Sequence, residues 1–99
     1  MTTKLLNTLE QAKALRESYD AEYTTARENA RNIYKTVRAL EVKYEENKDE
    51  ETGKKLDKAY DIYEKANEAE TDAYDKYDKI DSAIIKIQDA LDLLNELEL

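Results

Sequence analysis

Lys48-Asp49-Glu50-Glu51-Thr52-Gly53-Lys54 is the only stretch of the chain that carries turn chemistry. It is polar throughout, lies near the middle of the 99 residues and holds the single glycine. Glycine punctuates helices because it takes positive φ at no steric cost. Asp49 and Thr52 are both suited to cap a following helix, and Thr2 or Thr3 a preceding one. Outward from this stretch, both halves are rich in Ala, Leu, Glu, Lys and Arg, which are good helix formers, and no proline interrupts them. The pattern predicts one domain over residues 1–99: a helix over about 3–48, a turn over about 49–54 and a helix over about 55–97.

Heptad periodicity sharpens this expectation. With Leu9 at position a, the a and d positions of the first half run Leu5, Leu9, Ala12, Arg16, Tyr19, Tyr23, Ala26, Ala30, Ile33, Val37, Leu40 and Tyr44. With Leu56 at a, the second half runs Leu56, Ala59, Tyr63, Ala66, Glu70, Ala73, Tyr77, Ile80, Ile84, Ile87, Leu91, Leu94 and Glu98. Only Arg16, Glu70 and Glu98 break the seam. A 3-4 repeat sustained this long specifies a coiled coil, and a short connection makes the two helices antiparallel neighbours. The fold class is all-α, a helical hairpin of two long antiparallel helices with arms of about 65 Å, able to dimerise into a four-helix bundle. Placing the apex between Glu51 and Thr52 sets Tyr44 against Ala59, Leu40 against Tyr63, Val37 against Ala66 and Ala12 against Leu91. Large side chains then meet small ones. Glu70 falls opposite Ile33 in this register, with Arg31 as its expected partner.

Composition removes whole classes of function. The chain has no cysteine and no histidine, so disulfides, thiolate or imidazole metal sites and Ser-His-Asp chemistry are excluded. The turn does not fit an EF-hand loop, since Lys48 occupies its first position. A two-helix hairpin is expected to enclose no pocket, and no catalytic residue, metal or cofactor is assigned. No apolar run is long enough to span a bilayer and no signal-peptide pattern opens the chain, which points to a cytoplasmic protein. The length and central turn resemble the small helical-hairpin substrates of type VII secretion. Their Trp-x-Gly turn has no counterpart in Glu51-Thr52-Gly53, and the resemblance ends at length and shape.

Three surfaces remain as candidates for binding. The g positions of the second helix are Ile62, Ala69, Lys76, Ala83, Ala90 and Leu97, an apolar flank that the first helix lacks. Ile62, Ala83, Ile85, Ala90, Leu93, Leu97 and Leu99 are therefore assigned to an apolar partner surface, the partner being a second copy or another protein. Charge supplies the second surface. Residues 1–48 hold nine basic and eight acidic residues, a net +1, whereas residues 49–99 hold seven and sixteen, a net −9. Asp57, Asp61, Glu64, Glu68, Asp75, Asp78, Asp89, Asp92 and Glu96 occupy b and f positions and form an acidic ladder on the outer face. Such a ladder repels nucleic acid, but can mimic it against the basic groove of a DNA- or RNA-handling protein, as small viral and phage inhibitors do. Its density, about one charge per 7 Å, is well below the charge per ~1.7 Å of duplex DNA. The third surface is a tyrosine ridge at e positions, Tyr34, Tyr60 and Tyr74, with Arg27 placed to stack on Tyr74. The expected function is a non-catalytic structural or adaptor coiled coil that binds protein through the apolar flank, with acidic mimicry as the alternative. No membrane, small-molecule substrate or direct nucleic-acid contact is expected.

Overall fold

The computed structural model describes residues 2–98; Leu99 and the side chain of Glu98 lie outside it. Two helices account for nearly all of it, α1 over Thr2–Asn47 and α2 over Glu50–Glu98. They double back into a hairpin 74 Å long, 17 Å wide and 13 Å thick.

The connection is Lys48 and Asp49 alone, tighter than the 49–54 turn expected. Lys48 takes the left-handed conformation, with φ of 47°. Its N–H closes the end of α1 on the Tyr44 carbonyl at 2.6 Å, an αL cap made without glycine. Asp49 then opens α2. Its carboxylate accepts the Thr52 N–H at 2.6 Å and the Thr52 hydroxyl at 3.0 Å. The Asp49 carbonyl accepts the Gly53 N–H at 3.1 Å, the first bond of the new helix. Gly53 therefore serves a different purpose from the one its composition suggests. It sits inside α2 without positive φ, and a Cβ there would stand 3.2 Å from the Tyr44 ring. The glycine gives that ring room to cross the first turn of α2.

Starting α2 at Glu50 moves the apex to Lys48–Asp49 and slides the seam by one heptad from the expected pairing. Val37 packs with Leu56 and Ala59 in one cluster, flanked by Ile33, Leu40 and Tyr63. Leu9 and Ala12 pack with Ile84 and Leu91 in the other, flanked by Leu5, Ile80 and Ile87. The register sets Ala12 against Ile84, Ala30 against Ala66 and Ala26 against Glu70. Glu70 thus faces Ala26 rather than Ile33. A one-heptad slide keeps a and d residues on the seam, so pairing large with small did not discriminate between the registers; the cap did.

The heptad seam accounts for the burial. Leu9, Ala12, Ala30, Val37, Leu56, Ala59, Ala66, Ala73, Ile84 and Leu91 are the buried apolar residues, and each is an a or d position. The layers sort by size along the rod. Aliphatic side chains fill the two ends, while Ala26, Ala30, Ala66 and Ala73 make a narrow waist between them. Within this thin core, Ile84 at 1% exposure and Val37 at 2% are the most deeply buried.

Two outcomes test this account. Ile84→Ala is expected to cost about 2–5 kcal/mol in urea unfolding, whereas its exposed neighbour Ile85→Ala should stay within about 0.5 kcal/mol. The hydrogen bonds from the Thr52 N–H and hydroxyl hold the Asp49 carboxyl below its usual pKa. A carboxyl depressed on folding stabilises above its unfolded pKa and loses that contribution as pH falls through the folded value. Asp49→Ala should therefore lower the urea midpoint at neutral pH and converge on the parent protein in acid.

Candidate partner-binding faces

An antiparallel hairpin has two unlike faces, because e positions of one helix lie beside e positions of the other and g beside g. Two cross-helix polar contacts follow this rule. Glu22 and Lys76, both g, pair at 3.9 Å on one face. On the other, the phenol of Tyr60 donates to the Glu41 carboxylate at 2.8 Å, both residues being e.

The e face is tied together internally. Arg16, the first seam-breaking charge, leaves the seam and donates to Asp81 Oδ1 at 3.0 Å. The tyrosine ridge is engaged at each of its members. Tyr34 packs on Tyr63 with centroids 5.5 Å apart, and Tyr74 meets Tyr23 edge-on at 5.4 Å. Arg27 stacks on Tyr23 at 5.6 Å, not on Tyr74 as expected. The hydrogen bond to the Glu41 carboxylate holds the Tyr60 phenol above its usual pKa, since ionising it would set two anions side by side. These rings cover the waist while remaining partly open to solvent.

Contrary to the expectation of a surface without pockets, the waist carries an open groove of about 730 Å³ on this face. Tyr34, Tyr63, Arg31, Asn67 and Glu70 line it. Glu70 and Arg31 both border this groove, but no ion pair joins them among the described residues. Arg27, stacked on Tyr23, has its Nε buried without a hydrogen-bond partner. Two charged groups at one narrow cross-section are thus left without full compensation.

Among the described residues the g face lacks such ties apart from Glu22–Lys76, where the ammonium also lies 6.0 Å from the Tyr19 ring centroid. Ile62 is 54% exposed and Leu97 73% exposed on this flank, and Ala83 and Ala90 are half-buried. Leu93, at c, stands beside Leu97 and Ala90 and enlarges the patch; it is also exposed. Ile85 does not belong with them: it is exposed, but at b, on the opposite side of α2. Leu99 falls outside the described residues. Sequence reasoning centred on α2 missed the contribution of α1. Leu15 is an exposed g residue in the same layer as Ala83, and Ser18, Ala21, Thr25 and Ala26 line a shallow trough beside Glu22. The signal was present in the g column of α1, but its meaning required the register.

Asp57, Asp61, Glu64, Glu68, Asp75, Asp78, Asp89, Asp92 and Glu96 are all exposed on the outer edge of α2. Among the described residues none of the nine joins an ion pair. No group of three or more His, Cys, Asp or Glu side chains that could hold a metal occurs among the described residues, and none of the described helices is long and apolar enough to cross a membrane. The chain matches no protein-family model, and neither a curated protein nor a solved structure shows detectable similarity to it.

Glu70 gives this site a direct test. Replacing a half-buried carboxylate that has no ion pair by an apolar side chain should stabilise the hairpin, so Glu70→Leu is expected to gain about 1 kcal/mol in urea unfolding. A loss would mean that the carboxylate makes a favourable contact within the groove.

Proposed function

We propose that the chain is a non-catalytic protein–protein interaction module, a structural or adaptor coiled coil that binds a protein partner through its g face. The observation that carries this reading is the row of exposed apolar side chains there, Leu15, Ile62, Leu93 and Leu97, alongside small residues with no covering element. Interface cores are depleted of charge and rich in such groups, and a flat helical face suits a partner helix. Each face carries one cross-helix ion pair, but a partner on the e face would also bury Glu70, a carboxylate with no ion pair among the described residues. A second copy and a different protein are both occupants of the right chemistry. On this reading the partner is a protein met in the cytoplasm, rather than a nucleic acid, a membrane or a small-molecule substrate.

A second reading rests on the unpaired acidic ladder. An inhibitor that presents carboxylates to a basic groove would use the outer edge of α2 instead of the g face. Photo-crosslinking residues placed singly at Ile62, Leu93, Glu68 and Asp75 separate the two. Adducts to protein from Ile62 and Leu93, little changed between about 0.05 and 0.5 M salt, are expected for the interaction module. Adducts confined to Glu68 and Asp75, lost steeply over that range, would replace it with the acidic inhibitor.

A further inference from the structure

We infer that the occupant of the g face is a second copy of this chain, packed with its turn at the same end and related by a two-fold axis running along the rod. The inference rests on the reading of the g face as the binding surface and adds its partner, polarity and register.

The register supplies the evidence. Glu22 and Lys76 pair across the g face at 3.9 Å, so they mark one layer. Moving by heptads, the same face stacks Leu15 with Ala83, Thr8 with Ala90, Asn29 with Ala69 and Thr36 with Ile62. A two-fold axis along the rod lays α1 of one copy over α2 of the other, and each layer then meets itself with its members exchanged. Glu22 faces the second copy's lysine, Leu15 faces an alanine, and Ile62 faces a threonine. In these layers the larger side chain is met by a smaller one, and the four charges of the Glu22–Lys76 layer alternate in sign around the axis. In the resulting bundle each helix is antiparallel to both its neighbours.

The opposite polarity never gives that exchange of charge. A two-fold axis across the rod sets α1 on α1 and α2 on α2: through this layer it sets Lys76 on Lys76 and Glu22 on Glu22, and between this layer and the next it sets Glu22 on Asn29 and Lys76 on Ala69, so Glu22 and Lys76 do not meet across the interface. Like charges brought together at an interface are costly. At the turn end, Lys43 and Lys55 bound the same-ended surface. The same-ended arrangement brings these lysines of both copies to one layer, where Lys55 is held to its own Glu51 at 3.6 Å, which offsets part of the charge. A face 74 Å long and 17 Å wide offers the roughly 800 Å² per partner that a stable association requires.

The absence of cysteine makes the test clean. The purified full chain should sediment as a dimer of the 11.5 kDa monomer. Lys76→Glu places four carboxylates in the central layer and should weaken dimerisation at least about 10-fold. The exchange Glu22→Lys with Lys76→Glu restores alternation and should restore the dimer, with circular dichroism recording an unchanged helical hairpin throughout. Spin labels on a cysteine at Glu46, beside the turn, should lie within about 30 Å of each other between copies. A monomer at about 100 μM, an exchange that fails to rescue, or labels separated by the length of the rod would each overturn the inference. A monomer that still gives g-face crosslinks to another protein would leave the binding surface standing while removing the second copy as its occupant.

Discussion

The hydrogen bonds from Thr52 to the Asp49 carboxylate decide where α2 begins, and the rest of the molecule follows from that origin. Helix propensity alone leaves either helix free to start a turn earlier or later. The cap ends that freedom by satisfying amide donors that a helix start otherwise leaves open. Lys48 bears the local cost, holding a left-handed conformation that non-glycine residues adopt at about 1–2 kcal/mol. Together they compress the reversal into two residues. Every cross-helix neighbour, from the Val37–Ala59 layer to Arg16–Asp81, is then a matter of counting away from the turn.

The same count makes the two faces unlike. On the e side it brings Tyr60 to Glu41, Tyr74 to Tyr23 and Tyr34 to Tyr63, so aromatic rings pack across the seam and the Tyr60 hydroxyl is taken up by a carboxylate. On the g side it brings alanines to threonine, asparagine and leucine, which reach across little. One face closes on itself and the other is left short of contacts. The acidic residues of α2 lie on neither, and keep the outer edge hydrated beside a more neutral α1.

How much could be read from the residues is clear from where the reading broke. The all-α hairpin was legible because Leu, Ile, Ala and Tyr recur at 3-4 spacing through both halves. The register was not. A heptad slide preserves every a and d assignment, and Gly53 looked like a turn residue when its role is to leave space for the Tyr44 ring. That error carried Glu70 to Ile33 and hid the contacts that depend on cross-helix position, among them Arg16–Asp81 and Arg27 over Tyr23. The apolar flank was legible in outline. Ile85 is apolar and off the seam, but its b position, already legible in the heptad, puts it on the far side of α2 from the flank; Leu15 stands out only once the register sets it beside Ala83. Asp49 and Thr52 are both candidate caps in the sequence, and only the choice of Asp49 over Thr52 and the glycine yields the register.

The division of the core into two aliphatic clusters separated by small residues has a kinetic consequence. Val37, Leu56 and Ala59 meet after closure of a short loop, whereas Leu9 and Leu91 meet only after most of the chain has been gathered in. Assembly is therefore expected to nucleate beside the reversal and to run outward, crossing a stretch of alanine that rewards it little before the distal latch engages. A φ-value near one at Val37 beside a value near zero at Leu91 is the signature of that order, and equal values would contradict it.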